Sequence, residues 1–140
     1  MSGSYSAYHV AQAYRNASIA VSPLTGVVML LDGAIVSLKK SVEASRASRI
    51  EEGHNHMVRA TAILRGLQHH LNFEKGGAVA NRLGRTYNSL IFACLGSFGM
   101  PDAESRYRRI IGSLAELREA WSVVAAASKA ESRSPSHNAP

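Results

Sequence analysis

The sequence predicts an all-α protein that folds as an antiparallel four-helix bundle. In four segments the apolar residues recur at steps of three and four residues, which is the period of an amphipathic helix. No sustained alternation with a period of two, which would predict strands, is present. The chain has 140 residues, 46% of them hydrophobic, which suits a single domain with its own core. Four amphipathic helices joined by short loops bury their apolar stripes most simply against one another.

The first helix is predicted to begin at Ser22 and Pro23, because serine is a favoured N-cap and proline suits the first helical position. Its apolar stripe consists of Leu24, Val27, Val28, Leu31, Ile35, Leu38 and Val42. The stripe of the second helix consists of Met57, Ala60, Leu64, Leu67 and Leu71. Both spacings place the apolar residues on one side of a helix.

The third helix is predicted to begin after the Gly76-Gly77 pair or slightly before it. Its stripe consists of Val79, Leu83, Tyr87, Leu90 and Cys94. The fourth helix follows Met100-Pro101-Asp102, and its stripe consists of Ile110, Leu114, Leu117, Trp121 and Val124. The expected loops are residues 47–55, 71–77 and 96–102, and each contains glycine, asparagine or proline.

The sequence divides into three parts. Residues 1–21 form a tyrosine-bearing N-terminal arm, which could include a short helix. Residues 22–127 form the helical bundle. Residues 128–140 are rich in Ser, Ala and Pro and have no apolar period, which predicts a disordered tail.

The chain is basic, with 16 Lys and Arg against 10 Asp and Glu, and most of the excess lies between Arg59 and Arg109. Such a balance favours acidic partners, with nucleic acid among them. No apolar run approaches the roughly 20 residues of a membrane-spanning helix, and no secretory signal peptide is expected. Cys94 is the single cysteine, which excludes an internal disulfide and fits a reducing cytoplasmic compartment.

No residue pattern predicts catalysis, a metal ion or another cofactor. His54 and His56, like His69 and His70, are spaced so that a helix would point them apart, and the one Glu-x-x-His pair, Glu51 with His54, lies in an expected loop. Cys94 falls on an apolar stripe, which is typical of a buried thiol. Residues 74–77 resemble a phosphate-binding loop only superficially. We therefore expect a protein that is not an enzyme.

The first helix carries more apolar surface than one core stripe requires. On a helical wheel Met29 and Val36 lie nearly opposite the main stripe, and Leu30 flanks it on one side. A partner or the N-terminal arm would cover this second face. The alternative is that Met29 and Val36 are ordinary exposed apolar residues.

Several motifs in order resemble the FliS-type flagellin export chaperones, from about residue 8 to about residue 124. The matching stretches are Ala13-Tyr14-Arg15-Asn16-Ala17-Ser18, Ser22-Pro23-Leu24, Leu30-Leu31-Asp32-Gly33-Ala34, Arg59-Ala60, Ile63-Leu64, Leu67, Leu71-Asn72-Phe73-Glu74-Lys75-Gly76-Gly77, Ala80, Leu83, Tyr87, Leu114, Leu117-Arg118 and Ala120-Trp121. Three positions depart from the family pattern. Leu31 and Gly84 stand where members often have tyrosine, and Asn72 stands where many have aspartate. The lost aromatic surface alters the expected shape of any binding groove.

The resemblance implies a cytoplasmic chaperone of the flagellar type III secretion pathway. Such proteins bind the disordered C-terminal segment of flagellin, prevent its premature polymerisation and help to deliver it to the export gate. A homodimer of the client-free protein is compatible with this role, while neither nucleic acid nor membrane insertion is expected. The family's N-terminal tyrosine segment can cover part of the client groove, which makes Tyr14 and Tyr8 candidates here.

The residues predicted to bind the partner are Tyr8, Tyr14, Met29, Leu30, Asp32, Val36, Tyr87 and Ile91. The last two represent an alternative docking position along the third helix. The competing function is that of a small basic helical nucleic-acid-binding protein. It depends on the net charge and on five arginines, which are Arg82, Arg85, Arg106, Arg108 and Arg109. No helix-turn-helix signature or aromatic stacking platform accompanies them.

Overall fold

The computed structural model describes residues 23–133, which form four α-helices and, within that range, no strands. The helices are α1 (Pro23–Arg46), α2 (Ile50–His69), α3 (Phe73–Ser97) and α4 (Ala103–Arg133). The predicted all-α helical bundle is therefore confirmed. The predicted N-terminal arm, the Ser22 cap and residues 134–140 of the predicted tail lie outside the described residues.

The helices form an antiparallel bundle in which α1 packs against α2 and α4, and α3 packs against α2 and, less extensively, α4. Two contacts show the direction of α4 relative to α1. Arg46, at the end of α1, pairs with Glu104, while Asp32, further back, pairs with Arg118. Residue numbers thus rise along α1 as they fall along α4. The short connections between consecutive helices produce the same alternation at the other boundaries.

The core contains most of the predicted stripes. Its buried members are Leu31, Ala34, Leu38, Met57, Ala60, Leu64, Leu67, Tyr87, Leu90, Ile91, Cys94, Tyr107, Ile110 and Leu114. Two predicted stripe residues are exposed instead, namely Val79 and Val124. Just after the break at Gly77 the buried position is taken by Ala80 rather than Val79. At the far end of α4 the buried position is taken by Ala125 rather than Val124.

The loop between the first two helices is shorter than the sequence predicts. Helix α2 begins at Ile50, so residues 50–55 are helical rather than part of a loop. The first turn of α2 contains Glu51 and Glu52, whose negative charges interact favourably with the helix N-terminus. Gly53 is buried there because α1 approaches closely: its carbonyl accepts a 2.7 Å hydrogen bond from Ser41 Oγ.

The start of α3 combines a cap with a break. Asn72 Oδ1 accepts a 2.9 Å hydrogen bond from the Lys75 N–H and so caps the first turn. Gly77 then adopts φ 53° and ψ −127°, which are not helical and which suit glycine alone. The turn predicted at Gly76-Gly77 is therefore present as a break at Gly77, and the chain is helical both before and after it.

Helix α4 is longer than predicted. It continues to Arg133, six residues beyond the bundle boundary drawn from the sequence. Residues 125–131 include four alanines, a lysine and a glutamate, all of which favour helix without needing to be buried. Low apolar periodicity in this stretch therefore did not mean absence of helix.

Candidate functional site

The outer face of α1 exposes two large apolar side chains. Met29 is 61% exposed and Val36 is 48% exposed, and their seven-residue separation places them two turns apart on one side of the helix. The expectation that both lie away from the core stripe is confirmed. We call this pair the α1 outer face.

The two neighbours of α1 leave this outer face free. Gly33 faces α2, because a Cβ on it would lie 3.5 Å from Ile63 Cδ1. Asp32 faces α4, where its Oδ1 accepts a 2.9 Å hydrogen bond from Arg118 Nε. The predicted site residue Asp32 thus ties two helices together and is only half-exposed. Leu30 is more accessible, at the edge of the outer face.

Tyr87 and Ile91 do not lie on the surface. They are 1% and 3% exposed and belong to the central cluster, so the alternative docking position predicted for them is not open to a partner in this structure. Both are part of the inward stripe of α3, and a tyrosine or an isoleucine suits a core position as well as a binding position. The accessible aromatic residue next to them is Phe92, which is 64% exposed. Its size and its position off the apolar stripe were the signals that could have identified it.

Two further predicted residues, Tyr8 and Tyr14, lie outside the described residues. Their contribution therefore remains a prediction.

The arginines proposed for nucleic-acid binding fall into two groups. Arg106 and Arg108 form ion pairs at the start of α4, with Asp102, just before the helix, and Glu104 respectively. Arg82, Arg85 and Arg109 form no ion pair among the described residues. Two of the unpaired residues, Arg82 and Arg85, lie on α3. The five arginines therefore do not form one uniform basic surface.

The single thiol is inert in this fold. Cys94 is fully buried, and burial raises its pKa to about 12, so the reactive thiolate is not populated near neutral pH. Its backbone carbonyl accepts a 2.8 Å hydrogen bond from the Tyr107 hydroxyl, and burial raises the pKa of Tyr107 as well. Both groups hold α3 against α4 rather than face a substrate.

The histidines of α2 do not assemble with other ligands. Glu51 and His54 now lie on a helix, where the His54 ring packs edge-on against Phe98 with centroids 5.2 Å apart. Within residues 23–133 no three His, Cys, Asp or Glu side chains come close enough together to hold a metal ion.

A cavity of about 280 Å³ lies at the end of the bundle where α1 ends and α4 begins. Its walls include Val42, Ile50 and Phe98, and its mouth carries the Arg46–Glu104 ion pair. The hydrogen bond from Arg46 lowers the pKa of Glu104, and the same contact raises the pKa of Arg46. The pair is solvent-exposed and closes α1 onto α4.

A helical bundle that exposes apolar side chains on helices already packed on other sides has the features of a protein-binding module. The comparison with protein families gives the family. Residues 6–128 match the family described as "Flagellar protein FliS", which is most of the chain. The chain therefore belongs to the FliS family of flagellar export chaperones. No curated protein matches the sequence. Among the helices of residues 23–133, none has the length and apolar character needed to span a bilayer.

Proposed function

We propose that this protein binds the C-terminal segment of flagellin in the cytoplasm, prevents premature polymerisation and assists delivery to the flagellar export gate. The observation that carries the proposal is the α1 outer face in a member of the FliS family. An apolar pair two turns apart on an exposed helix matches the contact that an amphipathic client helix makes.

The physics of this contact suits a chaperone. A client segment that is disordered in isolation loses conformational entropy when it folds on the surface, which lowers its net affinity. Moderate affinity allows release when a competing partner, such as the export gate, engages the complex. In the absence of client the same apolar pair is available to a second copy of the chain, and the proposal therefore includes a client-free homodimer.

The central experiment compares full-length flagellin with flagellin that lacks its C-terminal segment, each mixed with this protein and separated by size exclusion. We expect co-elution with the full-length form only. Equal co-elution of the truncated form would contradict the proposed client segment, and no co-elution with either would contradict the chaperone role.

A pair of matched variants tests whether the α1 outer face makes the contact. Met29→Ser with Val36→Ser should weaken flagellin-peptide binding by roughly tenfold or more, since buried apolar area contributes about 25 cal/mol per Å². The control is Val123→Ser with Val124→Ser on α4, whose side chains are 62% and 48% exposed and thus nearly identical in exposure to the test pair. Equal weakening by the control would show that the contact is not specific to α1.

The nucleic-acid alternative and the chaperone proposal predict different effects of salt on DNA binding. If the positive charge serves protein partners and solubility, binding to double-stranded DNA should be weak and should disappear at about 0.2 M salt. Sequence-specific binding that survives this salt concentration would favour the alternative. Sedimentation of the client-free protein over a range of concentrations tests the homodimer.

A further inference from the structure

The basic side chains of this protein are distributed unevenly between paired and unpaired positions. Between Gly53 and Met100 the sequence has five Lys and Arg residues but a single acidic residue, Glu74. The five basic residues of this stretch are Arg59, Arg65, Lys75, Arg82 and Arg85. None of them forms an ion pair within the described residues. By contrast, Arg46 and Arg118 pair across the α1–α4 boundary.

Two contacts fix the register of α2 against α3. The His54 ring packs against Phe98 near one end, and Gln68 Nε2 donates a 2.9 Å hydrogen bond to the Gly84 carbonyl near the other. In this antiparallel register Val58 lies level with residues 94 and 95. The line along which these two helices meet, on the outside of the bundle, is called the α2–α3 seam below.

Exposed apolar side chains follow the seam. Val58 from α2, and Phe92 and Leu95 from α3, are each at least 40% exposed. Towards the start of α3 the seam opens into a groove of about 540 Å³, whose lining includes Arg65, Phe73 and Phe92. The seam therefore presents apolar surface that neither helix buries.

Unpaired arginines border this apolar strip on both helices. On α2, Arg65 lies seven residues after Val58 and so on the same side of the helix. On α3, Arg85 lies seven residues before Phe92, with Asn88 of the groove between them. Since one helical turn rises about 5.4 Å, the strip from residue 85 to residue 95 is roughly 15 Å long. A partner helix of about three turns spans this length.

We propose that the α2–α3 seam is a docking surface for an acidic amphipathic helix of a partner protein. The apolar side of such a helix would cover Val58, Phe92 and Leu95, while its acidic flanks would face Arg65 and Arg85. Nucleic acid is the less suitable occupant, because phosphates gain nothing from the apolar side chains of Val58 and Leu95. The seam is separate from the α1 outer face, since α1 and α3 lie diagonally across the bundle. The proposal does not depend on flagellin binding.

A synthetic peptide is the direct probe. It has about 18 residues, or about 27 Å as a helix, with leucines at positions i, i+3, i+4 and i+7 and glutamates on the flanks. Two comparison peptides carry lysine in place of glutamate, or the same composition in an order without an apolar side. Fluorescence titration of the full chain should show the glutamate peptide binding at least roughly tenfold tighter than either comparison peptide.

Variants of the seam then locate the site. Arg65→Glu with Arg85→Glu should weaken the glutamate peptide by roughly tenfold or more, and Phe92→Ser should weaken it by about tenfold. Matched controls are Lys39→Glu with Lys40→Glu on α1, which changes the net charge equally, and Val123→Ser on α4. Since all these positions are exposed, circular dichroism should show folded protein for every variant.

Three outcomes would overturn the proposal. The first is equal weakening by the two charge-reversed pairs, which would reveal non-specific attraction to a basic protein. The second is a 20-base-pair DNA duplex that binds more tightly than the peptide and responds to the arginine changes but not to Phe92→Ser. The third is failure of the glutamate peptide to bind more tightly than its comparison peptides. None of these outcomes would alter the flagellin experiment, which uses different variants and a different client.

Discussion

Helices α1 and α3 occupy diagonal positions in the same bundle but are held in different ways. Helix α1 is packed closely on both sides and has polar links to each neighbour. These are the hydrogen bond from Ser41 to Gly53 and the ion pairs of Arg46 and Asp32. Helix α1 is thus held by close packing and by polar contacts to both of its neighbours, α2 and α4.

Helix α3 has no ion pair to a neighbouring helix among the described residues, and its boundary with α4 is the least extensive in the bundle. The hydrogen bonds that attach it include those from Gln68 to the Gly84 carbonyl and from Tyr107 to the Cys94 carbonyl. It also contains the non-helical Gly77. A helix held mainly by apolar contacts can adjust to a partner at lower cost than one that is tied on both sides, so we expect α3 to be the more adaptable of the two.

The largest expected effect comes from truncating a core residue on each helix. Leu31→Ala on α1 should lower the free energy of unfolding by about 3–5 kcal/mol, because Leu31 is fully buried among side chains that cannot relax. Leu90→Ala on α3 should cost about 2–3 kcal/mol, since its surroundings can collapse more readily. Urea unfolding of both variants provides the measurement. An equal or larger loss for Leu90 would show that α3 is packed as rigidly as α1.

Two glycine substitutions compare the α1–α2 and α3–α4 boundaries. A Cβ on Gly53 would lie 2.7 Å from Ser45 Oγ and 3.2 Å from the Ser41 carbonyl oxygen. Gly53→Ala should therefore cost about 1–3 kcal/mol from overpacking. Gly96 lines the groove between α3 and α4, and a Cβ there would meet nothing within 4 Å. Gly96→Ala should be neutral or stabilising by up to about 1 kcal/mol. If thermal melts showed that both variants shift the melting temperature in the same direction, the two boundaries would not differ in how closely their helices pack.

The sequence was sufficient to predict the helices because each stripe had enough members to define its period. The stripe from Leu24 to Val42 leaves no other arrangement for α1, and Pro23 marks its start. The same reasoning placed Met29 and Val36 outside the core, since only the helical wheel is needed to do so. Family membership could also be inferred, because the ordered motifs extend over most of the chain.

The sequence could not predict which residues of a stripe are enclosed and which remain accessible. Tyr87 and Ile91 have the types and spacing of either core or binding residues, and only the approach of α2 and α4 decides between them. Ion pairs between distant residues, such as Asp32 with Arg118, depend on register between helices and leave no local signal. Boundaries without glycine or proline, such as the end of α4, were likewise not predictable from periodicity.

A smaller effect is expected from removing one of the hydrogen bonds that attach α3. Tyr107→Phe deletes the hydroxyl that donates to the Cys94 carbonyl and should cost about 1–2 kcal/mol, because both groups are buried. Hydrogen exchange should accelerate more in α3 than in α1, since this bond joins α3 to α4. Uniform acceleration in both helices would mean that α3 has no separate adaptability.

The smallest expected effect concerns the exposed ion pair that joins α1 to α4. Arg46 lowers the pKa of Glu104 from its ordinary value of 4.5. A carboxyl with a lowered pKa stabilises the folded state above pH 4.5 and loses that contribution as the pH falls through its folded pKa. Glu104→Gln should therefore be slightly less stable than the parent at pH 7 and should approach it in acid. Solvent screening keeps the difference small, because both side chains are exposed. The control, Glu131→Gln, alters a carboxyl that forms no ion pair with the described residues and should match the parent at pH 7. If Glu104→Gln also matched the parent at pH 7, the ion pair would contribute nothing to the attachment of α1 to α4. Close packing alone would then distinguish α1 from α3.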